Sequence, residues 1–337
     1  MTRRDFLAAT AATVATPGIF AGGNDGGRGF AWAYMLKLGT NMWCDVVPDK
    51  WGRYTPDELH YKGPADHLRC DDGLWRELTE KARAAGFNML LMDLGEGIQY
   101  PSHPELAVKG SWSVEKLRME LKRLRDLGLE PIPKLNFSTA HDIWLKEYSR
   151  MVSTDRYYQV CADLIRDVAE LFDHPRYFHM GYDEETAGHQ SRYNYVVVRQ
   201  GELWWHDFLW FVKTIEATGM RPWMWSDYIW NHPDEFVKRM PRSVLQSNWY
   251  YGITFNGKER ASNSYVDLEK AGFDQIPTGS NYSAESNFEQ TVKFCRDNVS
   301  PSRLKGFLMA PWYHTVPHFR DRLEPAIEIA ARTIRAS

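Results

Sequence analysis

From residue 35 to the end of the chain, short apolar runs alternate with longer segments whose apolar positions recur every three or four residues. The first pattern predicts strands and the second amphipathic helices. Strands are expected over residues 35–41, 87–93 and 129–135, in a run opening at Tyr177, and over 221–226, 244–247, 275–279 and 306–310. Helices are expected over 71–85, 113–128, 154–172, 202–218, 233–239, 265–271, 286–298 and 323–335. The helix from Ser113 is typical: Leu117, Leu121 and Leu124 fall on one face and Gly128 closes it. Eight strand–helix units follow one another with no linker, composition break or visible repeat. A single α/β-class domain, a (β/α)8 TIM barrel over residues 35–337, is the economical architecture.

The fourth strand carries the most chemistry. Tyr177-Phe178-His179-Met180-Gly181-Tyr182-Asp183-Glu184-Glu185 follows the breaker Asp173-His174-Pro175 and ends in three acids. Strand alternation gives His179, Gly181 and Asp183 one parity and Met180, Tyr182 and Glu184 the other. At the mouth of a parallel barrel, where catalytic groups sit, that alternation relaxes and Asp183 and Glu184 can turn into one pocket. Two neighbouring acids drive their proton affinities apart, giving a proton donor beside a carboxylate, the pairing glycoside hydrolysis needs. The competing reading makes these acids the first turn of the next helix, placed there by the helix dipole.

Composition narrows the classes. A net charge of −3 carries no footprint for nucleic acid, so no nucleic-acid partner is expected. The 14 Trp, 17 Tyr and 16 Phe supply flat faces of the kind that line sugar clefts as well as cores. At the N-terminus, Arg3-Arg4-Asp5-Phe6-Leu7 precedes an Ala-rich apolar run and a small-residue exit near Ala21. This reads as a twin-arginine signal over residues 1–22, followed by a flexible lead-in over 23–34, and implies the twin-arginine export machinery as partner and a periplasmic or secreted location. The run is too short to span a bilayer, and no stable membrane insertion is expected. Cys44, Cys70, Cys161 and Cys295 match no zinc spacing. Cys44 and Cys70 bracket one loop-rich stretch, where an oxidising compartment would permit a bridge.

Polar and aromatic residues gather at the expected strand ends: Asn41 to Asp45, Asp93 to Glu96, Asn136 to Asp142, Trp225 to Asp227, Asn248 to Tyr251, Asn281-Tyr282 and Trp312 to His314. Any one of these has a structural explanation; the set describes an aromatic cup holding acids and amides, which suits a sugar ring. Two other chemistries use the same residues. A metal-dependent hydrolase would draw on His141, Asp142, His179, Asp183 and Glu184, although no His-x-His pair or bridging lysine supports it. A conventional two-carboxylate glycosidase would need a distant second acid such as Glu96, Asp227 or Glu285. A catalytically dead carbohydrate-binding barrel is the third alternative, and the intact Asp183-Glu184 pair argues against it.

His179-x-Gly181-x-Asp183-Glu184 resembles the His-x-Gly-Gly-Asp-Glu signature of glycoside hydrolase family 20, the β-N-acetylhexosaminidases, with Tyr182 at the second glycine. The likeness runs over residues 85–315: His141 matches a histidine in a loop after the third strand, and Trp225, Trp249, Tyr250 or Tyr251, and Trp312 match pocket aromatics. The resemblance implies a substrate-assisted mechanism with no cofactor and no metal. Glu184 would be general acid and base, and Asp183 would orient the 2-acetamido group of an amino-sugar glycan. A tyrosine, Tyr250 or Tyr251, would donate to the acetamido oxygen, while His141, His179 and Asp227 complete the pocket. Two departures stand out. The family's strand-one arginine has no counterpart between Leu38 and Trp43, and its strand-eight Trp-x-Glu reads Trp312-Tyr313-His314. Both positions recognise the sugar's C3 and C4 hydroxyls, so Asp45 and His314 are expected in their place, with a leaning toward N-acetylgalactosamine. The separate N-terminal domain common in that family has no match ahead of the barrel.

Overall fold

The computed structural model describes residues 29–52, 54–256 and 258–337; the expected signal segment lies outside the described residues. Eight parallel strands form the barrel: β1 (Ala31–Lys37), β2 (Met89–Asp93), β3 (Glu130–Lys134), β4 (Tyr177–His179), β5 (Arg221–Trp225), β6 (Leu245–Ser247), β7 (Thr278–Gly279) and β8 (Gly306–Met309). Each pairs with its sequence neighbour and β1 pairs with β8. Between β6 and β7 the ladder is reduced to single bridges, Gln246 with Gln275 and Trp249 with Thr278, which close the ring.

Most expected elements form within two or three residues of their predicted ends. There are two exceptions: the helix expected from Tyr265 already begins at Arg260, and β1 begins at Ala31, inside the expected lead-in, and ends at Lys37 rather than Asn41. Ala31 and Ala33 are too small to announce a strand, but both are buried in the apolar cluster that fills the barrel, which also holds the large Trp223 and Tyr177. Helix starts follow the capping rules: Asp71, Ser113 and Thr154 each accept from a backbone N–H in the first turn. All four cysteines are free thiols, so Cys44 and Cys70 are not bridged. No helix among the described residues is long and apolar enough to cross a membrane.

Two apolar volumes hold the fold. The larger lies between sheet and helices; the smaller fills the barrel with Met35, Met89, Leu91, Ile132, Tyr177, Trp223, Trp225 and Leu308. Toward the carboxyl ends of the strands the interior turns polar. Register places Lys37 beside Asp93, Asp93 beside Lys134, and Lys134 beside His179, one buried layer across four strands. Lys134 and Asp93 approach to 2.9 Å as an ion pair whose angles fall outside a hydrogen bond. Burial pushes Lys37 well below its ordinary lysine range, with repulsion from Lys62 and Lys134 outweighing part of the pull of Asp93. This layer is the floor beneath Asp183.

Because neither member of the Asp93–Lys134 pair reaches water, removing one strands a charge. Lys134→Met is expected to cost about 3–5 kcal/mol in urea unfolding, whereas the double change with Asp93→Leu should recover most of that loss. A single variant within about 1 kcal/mol of wild type would show that the pair is not held as a buried charge couple.

Candidate active site

The chain leaves β4 through a run of left-handed residues: Gly181 at φ 67°, Tyr182 at 72° and Glu184 at 55°. Gly181 is required here because a Cβ would lie 2.1 Å from the Asn136 side-chain oxygen. That amide is the template for the turn. Its oxygen accepts from the Tyr182 and Ser138 backbone N–H groups at 3.2 and 3.0 Å, and its nitrogen donates to Asp183 at 2.8 Å. Tyr182 tolerates a conformation costing about 1–2 kcal/mol because its ring packs among Trp204, Phe208 and Phe211. The turn thereby sends Tyr182 into the outer core and both Asp183 and Glu184 into one cavity.

That cavity has a volume of about 660 Å³ and opens at the barrel mouth. Asp183 is 5% exposed. The Glu184 side chain is about a third exposed, and its backbone N–H donates to Asp227 at 2.8 Å. His141 Nε2 lies 3.4 Å from Asp183 and 3.3 Å from Glu184, and His189 Nε2 lies 3.6 Å from Glu184. Burial opposes the charge on Asp183, but His141, Lys134 and the Asn136 amide hold its proton affinity well below the carboxylate range. Burial likewise opposes charging His141, but Asp183 and Glu184 overcome it and raise its pKa to about 10, an imidazolium at neutral pH. The acid pushed upward is Asp227, by burial first and then by repulsion from Asp183 and Glu184.

Aromatic rings form the remaining wall. Trp225 meets Trp249 at 5.8 Å and Trp312 at 5.5 Å between ring centroids, and Trp230 backs Trp249 at 4.8 Å. Trp312 Nε1 donates to the Tyr251 hydroxyl at 2.7 Å, which leaves the Tyr251 proton free to donate elsewhere. His179 does not reach the cavity. It sits beneath Trp225 and Trp223 at 4.4 and 4.9 Å and accepts from Gly181 N–H through Nδ1 at 3.0 Å. Burial and then Lys134 keep it well below the ordinary histidine pKa, hence neutral.

Several expected contacts lie elsewhere. Asp45 turns to the far side of its loop, where Arg150 and the Asn194 backbone hold it at 2.9 Å. His314 is buried behind Trp43 and Tyr61, with ring centroids at 5.8 and 5.5 Å. Tyr250 points away, packed on Phe255, so of the two candidate tyrosines it is Tyr251 that lines the cavity. Of the distant acids, Glu96 accepts from the Thr40 and Asn41 backbone at 2.7 and 3.0 Å, and Glu285 lines a separate cleft. Asp142 is buried outside the cavity lining, and Glu185 is tied to Arg199 at 2.7 Å. Strand-end reasoning includes Trp43 and Asn136 without giving either a role, and misses Trp51, Tyr54 and Lys62 from the loop after β1 and Thr186, His189 and Arg192 from the loop after β4. The aromatic density of residues 43–61 is the one signal that could have found the first group.

One nitrogen of His141 and one oxygen each of Asp183 and Glu184 lie within 4.8 Å of one another. A metal ion there would have to displace the proton that His141 holds between the two carboxylates.

No protein-family model matches the sequence, and no curated protein does. Solved structures do. A β-N-acetylhexosaminidase from Bacteroides fragilis superposes with a TM-score of 0.59 at 12% identity, over 90% of this chain and 65% of that one. A chitobiase from Flavobacterium johnsoniae matches with a TM-score of 0.57 at 18% identity, over 77% of this chain and 45% of that one. Dispersin B matches with a TM-score of 0.53 at 14% identity, over 78% of this chain and 95% of that one. The chain thus spans less than two thirds of the first two structures, and at these identities the likeness is one of fold.

The opposed shifts of Asp183 and His141 give a stability profile. Asp183, depressed, contributes fully above its ordinary pKa near 4 and loses that contribution as pH falls through the folded value. His141, raised, contributes fully below about 6.5 and loses it as pH rises through about 10. Asp183→Asn should therefore lower the thermal midpoint most between roughly pH 4 and 6.5, and bring the His141 titration seen by NMR down toward its ordinary range. An unchanged His141 titration in the variant would separate the two groups.

Proposed function

We propose that the chain is a retaining glycoside hydrolase, a substrate-assisted β-N-acetylhexosaminidase acting on amino-sugar glycans. One observation carries the reading: a buried, ionised Asp183 and a cavity-facing Glu184 share one imidazolium inside an aromatic box. The fold likeness to hexosaminidases supports it.

In this reading the sugar's C–H faces pack on Trp225, Trp249 and Trp312. The 2-acetamido N–H meets Asp183, and the Tyr251 hydroxyl, already accepting from Trp312, donates to the acetamido oxygen. That oxygen attacks the anomeric carbon, the C–O bond to the leaving group breaks, and Glu184, protonated in the reacting complex, gives its proton to the departing oxygen. The carboxylate left behind is stabilised by His141. Asp183 offsets the positive charge spread over the oxazolinium ring, a charge present only near and beyond the transition state. Glu184 then takes a proton from water, whose oxygen opens the ring with net retention. Asp227 holds the Glu184 backbone and not the substrate. The galacto preference remains our reading of the missing arginine and glutamate, without Asp45 and His314, which lie outside the cavity. Export through the twin-arginine route is part of the same proposal.

Glu184→Gln should lower kcat on an aryl 2-acetamido-2-deoxy-β-glycoside by about 10²–10⁴-fold. Asp183→Asn should lower kcat by roughly 10²-fold with a smaller change in KM, because its charge acts on the transition state. Wild-type rates in either variant would remove that residue from the mechanism. Dialysis against a chelator should leave activity intact; its loss, restored by a divalent ion, would favour a metal on His141, Asp183 and Glu184.

Changing Arg3 and Arg4 together to lysine should retain the protein in the cytoplasm. Periplasmic recovery of that variant would contradict the export reading.

A further inference from the structure

The cavity has two unlike ends. One holds Asp183 and Glu184 with their histidines; the other, formed by the loops after β1 and β4, carries cations on aromatic rings. Lys62 Nζ stands 4.0 Å from the Trp43 ring centroid, 4.3 Å from that of Tyr54 and 5.7 Å from that of Trp51. The Arg192 guanidinium lies 4.1 Å from the same Trp51 ring. Behind them Lys37, buried, places its Nζ 3.5 Å from the Trp43 ring. Trp43, Trp51, Tyr54, Lys62 and Arg192 all line the cavity.

These cations are not counter-ions of the acids. Among the described residues neither Lys62 nor Arg192 forms an ion pair. Burial first of all brings the pKa of Lys62 down to about 8, where it is still charged at neutral pH, and the side chains acting on it are Cys44, Glu58 and Arg69 rather than Asp183 or Glu184. A half-buried ammonium and a guanidinium that both lie against the Trp51 ring in one cavity, neither paired with an anion among the described residues, form a receptor for an oxyanion. The guanidinium offers two parallel donors to such a group and the ammonium a point charge. A neutral hydroxyl would satisfy one of them and leave the other unpaired.

We infer that this end of the cavity receives an oxyanion borne by the glycan, a sulfate ester or a uronate carboxylate, so that the preferred substrate is an anionic amino-sugar glycan. The amino-sugar part rests on the hexosaminidase reading; the anion does not, because the cationic end is there whatever bond is cleaved.

Three substrates test it on the intact protein: an aryl 2-acetamido-2-deoxy-β-glycoside, its 6-O-sulfate, and a disaccharide in which the amino sugar is linked to glucuronate. At low salt, kcat/KM should favour one anionic substrate by roughly ten- to a hundredfold, the scale of a charged hydrogen-bonding partner, and the favoured arm identifies sulfate or uronate. Added salt should shrink that preference. Lys62→Gln and Arg192→Gln should reduce the anionic-to-neutral ratio about tenfold or more, losing far less on the neutral glycoside. Calorimetry with N-acetylglucosamine, its 6-sulfate and free glucuronate gives a readout that does not need turnover. Hydrolysis of the neutral glycoside at rates equal to or above both anionic ones would overturn the inference and leave the hexosaminidase reading standing. No hydrolysis of any glycoside, with tighter binding of the sulfate or glucuronate that Lys62→Gln and Arg192→Gln abolish, would sustain the inference and overturn the activity. No hydrolysis and no difference in binding would overturn both.

Discussion

Asp183 is a carboxylate kept ionised almost entirely out of water, and the barrel mouth is arranged around that constraint. A lone buried carboxylate would take up a proton, since desolvation disfavours the charge. Here the Asn136 amide, the His141 imidazolium and the Lys134 ammonium act on it together. Each has its own support: Asn136 is braced by the turn that Gly181 permits, and Lys134 by Asp93 in the layer below. His141 shares its proton with Glu184, so the group that fixes Asp183 as an anion also touches the residue beside it. Removing any member alters the charge state of the rest, the expected behaviour of a coupled site.

Much of this was legible in the sequence because parity in a strand is unforgiving. Asp93, Lys134 and His179 each fall on the inward parity of a short apolar run, and Asp183 continues the parity of His179. The turn leaving β4 was less legible, because the left-handed steps at Gly181, Tyr182 and Glu184 abandon alternation. Tyr182 conceals that turn, since a bulky residue does not announce a positive φ; its ring packing into the outer core is a tertiary fact. β1 was misplaced by four residues for a similar reason. Its alanines carry little strand signal of their own and owe their place to burial in the barrel's interior cluster.

The distal end of the cavity was read least well. The family resemblance, with its arginine and glutamate missing, put Asp45 and His314 there, but Asp45 is taken by Arg150 and His314 is covered by Trp43. The residues that reach the cavity, Trp51, Tyr54, Lys62 and Arg192, sit in loops far from any strand end. Periodicity cannot place a side chain on such a loop. Only the density of aromatics between residues 43 and 61 marks that segment as a wall rather than a linker. The barrel thus fixes the chemistry at one end, while its loops set what the chemistry is applied to.

The central claim is that the substrate's own amide does the work of a nucleophile, with Asp183 steering it. The most direct measurement compares kcat/KM for two aryl β-glycosides that differ only at C2, one acetamido and one hydroxyl. The account predicts that the acetamido compound is hydrolysed and that the 2-hydroxyl compound is slower by about 10³-fold or more, since the attacking oxygen and its effective concentration are both lost. Comparable rates on the two would contradict it, and would place the nucleophile on the protein or in water.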